Sequence, residues 1–511
     1  MIKKLSDMSE QELLSRLSML KDAELVFERG IYPEVSYIFK HALTQEVVYD
    51  SILARRKKEL HKRIGQAIEQ LFKDNLHEHY GALIEHLIKS ENYEKAADYC
   101  GLEAKQVEKA GSLSDAIVYG NRQVFCLERL PQTEEVEKSL IDARTRLGLY
   151  HAQMAQNHEA KAMVDPVVEL AIEKNYKRRV SHIYYIIGQY KHQVEEDNLS
   201  AFEYLEKAFK IGEELNDPLM LVLTNMWLGA FCEFNCEFDR SLEHFKKALE
   251  INVAANSLWG ISAIKSHMAM NYYYRGNITL AYETGQEAVR IAKESGDIYS
   301  RLHSYGLHGL TCYGKGYLEE AKEHSKKGAD LAEKINQPVL ASLAIRSLAE
   351  TYYAIGEYDK SHQQWERAIS ILRENSLYPS YINLCKLAQA RIKSRQEKTL
   401  DLASLRDLAY LMTSKVNESS AHRYMGEILL NLNDDHTPEA EKWIMKIIEV
   451  DKRDGLMFHL GQDHALYAEL LKRKKDVPKA RESMNKAIKI FEECGADGWK
   501  REAEEAIALL N

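Results

Sequence analysis

Four strings in the 511-residue sequence have residue types that could do chemistry. Gly309-Leu310-Thr311-Cys312-Tyr313-Gly314-Lys315-Gly316 approaches the Gly-x4-Gly-Lys-Ser/Thr loop that cradles phosphates. Its final position should be a hydroxyl that holds magnesium, but it is Gly316, and helix instead of strand precedes it, so repeat geometry is the better reading. Cys232 and Cys236 place two thiols on one helical face, yet a zinc site wants four ligands and no second pair lies nearby in sequence. Packing is the expectation there. His77, His79 and His86, with Glu78 and Glu85, could begin a metal site, but a third or fourth donor is missing, and helix-surface histidines are the simpler reading. The run Arg55-Arg56-Lys57-Lys58-Glu59-Leu60-His61-Lys62-Arg63 could meet phosphates, yet Glu59 interrupts it and the chain's formal charge is −9. A solvated face, or a docking face for another domain, is expected instead. No catalytic, cofactor-binding or metal-binding residue is therefore assigned, no cofactor is expected, and the reading is that the chain is not an enzyme.

A fifth pattern is periodic. Tyr273, Tyr313 and Tyr353 recur 40 residues apart, with Phe234, Tyr274 and Arg346 near them. The elements that position them keep the same step. Small residues recur at Ala201, Ser241, Ala281, Ala321 and Ser361, and again at Ala208, Ala248, Ala288, Gly328 and Ala368. Gly229, Ala269, Gly309 and Ala349 form a third series, and Asn216, Asn256, Gly296, Asn336 and Ser376 a fourth. Seven residues is close to two helical turns, so the first two series share a face and let helices approach closely. Asn and Gly suit the left-handed backbone that ends a helix, and Pro218, Pro338 and Pro379 follow such breaks. Each unit therefore reads helix, tight turn, helix, break, and must stack on its neighbours to bury its apolar face.

Composition agrees. Only 8 Pro and 25 Gly in 511 residues favour long helices over sheets or disorder. The acidic balance lacks the bulk attraction to nucleic acid of a basic protein. No stretch of about 18 apolar residues suggests a membrane span, and the polar start predicts no signal peptide. Seven scattered Cys argue against a disulfide framework, so a cytoplasmic protein with reduced thiols is expected.

The repeats carry a resemblance. Trp227-Leu228-Gly229-Ala230-Phe231 with Phe238, Ser241, Phe245 and Ala248 resembles the tetratricopeptide repeat (TPR). So do Ala269, Tyr272, Gly276, Ala281 and Ala288, and Ala349, Tyr352, Gly356, Trp365 and Ala368. The TPR period is about 34; at 40, either the helices are about three residues longer or the turns are. The resemblance implies an all-α, right-handed superhelical solenoid. It also implies that Tyr273, Tyr313 and Tyr353, flanked by Phe234, Tyr274 and Arg346, face a concave groove and contact a protein or peptide partner. Tyrosine supplies apolar area and a hydroxyl at low entropy cost; packing between neighbouring first helices is the competing reading.

The start of the chain differs. Residues 24–29 and 35–40 read as strands around the turn Gly30-Ile31-Tyr32-Pro33, with helices at about 9–20, 43–55 and 57–72, which suggests a small winged-helix piece. The string from Tyr37 to Tyr49, continued by Arg55 to Ile64, resembles the end of the ATPase region in large bacterial signalling proteins. There a class III adenylate or guanylate cyclase precedes a STAND-type ATPase and a TPR tail. The resemblance implies a division into a winged-helix remnant (1–72), degenerate repeats (73–175), regular repeats (176–378), and degenerate repeats with a capping helix (379–511). It also implies a regulatory module that serves a cyclase or ATPase domain in cis or on a separate chain; from the charge and the lack of an apolar span, no membrane or nucleic-acid partner is expected. The alternative is the sensor or oligomerisation part of a STAND-type transcriptional regulator.

Overall fold

The computed structural model describes residues 2–6, 8–30, 36–396 and 399–509. The chain forms two compact units, Met1–Tyr150 with Met163–Leu170, and His151–Ala162 with Ala171–Asn511.

The first unit opens with α1 (Ile2–Leu5), α2 (Glu10–Asp22) and an antiparallel pair, β1 (Val26–Arg29) and β2 (Ser36–Phe39). The register sets Val26 opposite Phe39 and Arg29 opposite Ser36. The expected turn at Ile31-Tyr32-Pro33 and the start of the second strand at Val35 lie outside the described residues. Next come α3 (Ala42–Ser51), α4 (Ala54–Leu71), α5 (Tyr80–Lys89), α6 (Tyr93–Lys109) and α7 (Leu113–Leu127). Helices α4 to α7 bury Ile68, Leu83, Leu87, Ala96, Ala97, Val124 and Leu127 in one core. The chain then runs through α8 (Glu134–Gln153), α9 (Asn157–Val164) and α10 (Val168–Glu173).

The second unit is a TPR-like solenoid of antiparallel helix pairs. These are α11 (Lys177–Tyr190) with α12 (Asn198–Leu215), α13 (Pro218–Phe234) with α14 (Phe238–Ala254), and α15 (Leu258–Arg275) with α16 (Ile278–Ser295). They continue as α17 (Ile298–Lys315) with α18 (Leu318–Lys334), α19 (Pro338–Ala354) with α20 (Tyr358–Glu374), and α21 (Pro379–Lys393) with α22 (Leu402–Tyr410). The last are α23 (Lys415–Leu432) with α24 (Thr437–Asp454), α25 (Met457–Arg473) with α26 (Val477–Cys494), and a single helix, α27 (Asp497–Ala508).

The extra length of the period is in the helices: α15, α16 and α17 have 18 residues each. The breaks adopt the left-handed backbone their residues suit, Asn216 at φ 47°, Asn256 at 50° and Gly296 at 69°. The small residues Ala201, Ser241, Ala248, Ala281, Ala288, Ala321, Ser361 and Ala368 are fully buried. What the first-helix slot admits is one side chain of the paired helix. A Cβ on Gly229 would lie 2.6 Å from the Phe245 ring, and one on Gly461 2.6 Å from Phe491. Elsewhere the slot meets a small residue: a Cβ on Gly309 would run into Ser325 Oγ, and Ser361 O–H donates to the Ala349 carbonyl at 2.8 Å.

Candidate functional site

Along one edge of each pair the first helices look inward, and the array closes on itself. Besides its neighbours, α13 packs on α23, α15 on α25 and α17 on α27. The stretch before α12 joins the same pattern: Tyr378 N–H donates to the Gln193 carbonyl at 2.8 Å, and Asn198 Nδ2 donates to the Thr413 carbonyl at 2.9 Å. Each of the first four units thus meets the one five places later. Lys315, at the end of α17, pins this closure. Its ammonium donates to the Gly495 carbonyl at 2.8 Å and to Thr279 Oγ1 at 3.0 Å, and lies 2.7 Å from Asp497. Beside it two backbones touch: a Cβ on Gly498 would sit 2.6 Å from the Gly316 oxygen.

The closure turns the open groove expected from the sequence into a cavity of about 430 Å3. Tyr273, Tyr274, Tyr313, Arg346 and Tyr353 all line it. Phe234 does not; it is half-buried, its ring 6.3 Å from that of Tyr274. The tyrosines are not free on a groove wall. Tyr273 and Tyr274 are each 3% exposed and Tyr313 8%, because the later repeats cover them. Tyr273 packs 5.5 Å from Phe458, and Tyr313 meets Trp499 edge-on at 5.1 Å while its carbonyl accepts from the indole N–H at 2.7 Å. Contacts from α25 and α27 add to those of the neighbouring first helices, where a Cβ on Gly314 of α17 would lie 2.8 Å from the Tyr273 ring.

Charge is arranged in the same wall. Arg391 lies 3.0 Å from Glu350 and 3.5 Å from Glu427, with its guanidinium 3.7 Å over Tyr353 and 4.1 Å over Tyr424. Tyr424 O–H donates to Glu350 at 2.6 Å and Tyr353 O–H to Glu427 at 2.9 Å, so both carboxylates keep further donors. Arg423 holds Asp463 at 2.7 Å and Asp451 at 3.2 Å. Burial, then the neighbouring Asp463, pushes the Asp451 carboxyl far above its ordinary range. His459, beside them, is held neutral by burial and by Arg423. Arg346 differs. It donates to Asn417 Oδ1 at 3.0 Å and Ser420 Oγ at 2.9 Å, both neutral, and among the described residues it forms no ion pair with a carboxylate. Arg391, Arg423 and Glu350 went unnoticed in the sequence because no local motif marks them; the 40-residue period gives the helix they sit on but not what faces them.

The other candidate strings are accounted for by packing. Gly309 to Lys315 lie inside α17, and Lys315 has the partners given above. Burial raises the thiols of Cys232 to about 11 and Cys236 to about 12, so both stay protonated. The three histidines of the first unit are not brought together. His79 stacks on Phe72 at 3.7 Å, while His86 Nδ1 meets His61 Nδ1 at 2.7 Å. In the basic run, Lys57 pairs with Asp50 at 3.2 Å and lies 4.3 Å over Tyr49, and Lys58 pairs with Glu91. Among the described residues no helix is long and apolar enough to cross a membrane.

The chain is similar in part to several known proteins. The family model of anaphase-promoting complex subunit 5 matches residues 189–235 and 230–305. Response regulator aspartate phosphatase A of Bacillus subtilis (strain 168) is 22% identical over 283 residues, which cover 49% of this chain and 70% of that protein. Among solved structures, a STAND protein with a tetratricopeptide repeat sensor from Pyrococcus horikoshii is 18% identical with a TM-score of 0.44. That match covers 89% of this chain, which spans only 62% of the Pyrococcus chain. The Rap conjugation gene regulator of plasmid pLS20, solved in complex with the Phr* peptide, is 15% identical with a TM-score of 0.48, over 70% of this chain and 96% of that one.

Proposed function

We propose that the chain is a non-catalytic, TPR-like regulatory module whose half-enclosed cavity receives a short peptide, with a ligand carboxylate on Arg346. One observation carries the reading: in a wall where Arg391 and Arg423 are each paired with two acids, Arg346 hydrogen-bonds to neutral groups and has no ion pair among the described residues, Glu350 acting on it only at longer range. A cation kept in a half-enclosed site without an anion of its own is suited to bind one from outside. The volume falls within the roughly 300–1,000 Å3 of small-ligand pockets, and tyrosine walls give apolar contact with hydroxyls to fix orientation. A library of short synthetic peptides offered to the full chain tests this. Peptides with a free carboxylate should be retained by the wild type and lost by Arg346→Gln; peptides bound equally by both would defeat the assignment.

The cyclase–ATPase context is the finer part of the proposal. Its support is the Tyr37 to Tyr49 string and the apolar surface around it: Leu43, Val47 and Leu53 are 69%, 62% and 79% exposed. An ATPase core in cis or on another chain would cover such side chains. Co-expressed with a cyclase–ATPase half, the chain should co-purify, and a Leu43→Glu/Val47→Glu variant should not. The transcription-regulator alternative has less support, because Lys57 and Lys58 of the basic run already have acidic partners.

A further inference from the structure

A second cluster lies outside the cavity, on the hairpin of α17 and α18. Its residues are spaced symmetrically about the turn: His308, Cys312, Gly316, Glu320 and His324 follow one another in steps of four. Steps of four put His308 and Cys312 on one face of α17, and Glu320 and His324 on one face of α18. Since the helices run antiparallel from the Gly316 turn, positions equally far from it face each other. The ligand atoms of His308, Glu320 and His324 lie within 4.8 Å of one another, the one such group of three among the described residues. Cys312 Sγ lies 3.6 Å from His308 Nε2 but is not within 4.8 Å of all three, so it joins them as a fourth ligand only by closing further on Glu320 and His324; His324 Nε2 lies 3.9 Å from Glu320 Oε1.

The repeat does not call for these residues. One unit earlier the same slots hold Met268, Tyr272, Leu280 and Thr284, and one unit later Leu348, Tyr352, Lys360 and Gln364. The surroundings are built for ligation. Thr311 O–H donates to the His308 carbonyl at 2.9 Å, so its oxygen is left to accept from His308 Nδ1–H, also at 2.9 Å. That fixes the tautomer with an unprotonated Nε2 aimed at the cluster. Tyr282, from the preceding unit, donates its hydroxyl to the Glu320 carboxylate at 3.0 Å. On the same helix Gly285 makes room: a Cβ there would lie 2.6 Å from His308 Nδ1. Cys312 is fully buried, and His324 Nδ1 is buried without a hydrogen-bond partner.

We propose that His308, Cys312, Glu320 and His324 form a four-ligand site for a transition metal of the zinc class, which staples this hairpin. Nitrogen at about 2.0 Å and thiolate sulfur at about 2.3 Å from a tetrahedral ion stand about 3.5 Å apart, which matches the His308–Cys312 separation of 3.6 Å. The Glu320–His324 pair needs to close by about half an ångström, within reach of carboxylate and imidazole rotation. On binding, the Cys312 thiol forms the metal–sulfur bond and releases its proton to solvent; no electron is transferred.

Cobalt(II) reports on such a site directly. Titrated into the full, reduced, chelator-treated chain, it should bind at one equivalent. The visible bands of four-coordinate cobalt and a near-ultraviolet thiolate charge-transfer band should appear together. His324→Gln should lose the signal, and Cys312→Ser should keep the visible bands and lose the charge-transfer band. Tyr282→Phe, which touches no metal, should weaken binding about tenfold or more. Zinc should raise the melting temperature of the wild type and leave that of His324→Gln unchanged, with circular dichroism confirming that the variant folds. Absence of binding at one equivalent, absence of the thiolate band, or an equivalent that survives both His324→Gln and Glu320→Gln would each overturn the site.

Discussion

Replacing Arg391 by methionine should be among the most damaging single changes in the second unit. The side chain is 3% exposed and stands between Glu350 and Glu427, themselves only 15% and 16% exposed. Removing one partner of a buried ion pair strands the other in a poorly solvated place, at a cost of about 3–5 kcal/mol. Here the stranded carboxylates keep their tyrosine donors, Tyr424 at 2.6 Å and Tyr353 at 2.9 Å, which argues for the lower end, about 3 kcal/mol. The guanidinium's stacking on Tyr353 and Tyr424 is lost as well. Urea unfolding followed by helical circular dichroism measures the effect. Because Glu350 is the nearer acid, adding Glu350→Gln to Arg391→Met should recover about 1 kcal/mol or more. A single variant costing less than about 1 kcal/mol, or a double variant worse than the sum of its parts, would mean that this wall is solvated and that the cavity is not the half-enclosed polar site described.

Ala248→Leu or Ala288→Leu should cost roughly 1–3 kcal/mol in the same assay, since both positions are fully buried between helices; a neutral result would mean the facing slots are misassigned. Gly498→Ala should cost a similar ~1–3 kcal/mol, because its Cβ would meet the Gly316 backbone at 2.6 Å and backbone cannot rotate away; an unaffected urea midpoint would deny the contact. Burial lowers His267 and His422 to about 4 from the ordinary 6.5. The unfolded chain therefore binds their protons first, so their stability is fully present above about pH 6.5 and is lost as pH falls toward 4. The wild type should be less stable at pH 5 than at pH 7, and His267→Gln should shrink that difference by up to ~1.4 kcal/mol per pH unit; an unchanged slope would place His267 in water.

The repeat was legible because its signals are local. Small residues, left-handed breaks at Asn216, Asn256 and Gly296, and prolines at Pro218 and Pro338 each act within a turn or two of their own position. The recurrence of the tyrosines followed from the period, while their inward facing was implied by the resemblance. What covers them did not, because Phe458, His459 and Trp499 are more than a hundred residues away in sequence and carry no mark of their partners. The same holds for Lys315 with Gly495, which are 180 residues apart. The symmetric spacing from His308 to His324 was present in the sequence, but reading Cys312 only as part of the Gly309 to Gly316 string hid it. In the first unit the strands Val26–Arg29 and Ser36–Phe39 stood out by β-branched and aromatic residues between turn formers.

Closure of the solenoid five units on is the claim from which the cavity and its charge pattern follow, and zero-length carbodiimide cross-linking tests it most directly. Lys315 Nζ and Asp497 Oδ2 are 2.7 Å apart, and Asp497 is 54% exposed to the reagent. Mass spectrometry of the digested monomer should find an amide joining Lys315 to Asp497. Cross-links confined to neighbouring repeats, with none between Lys315 and the segment around Asp497, would contradict the account.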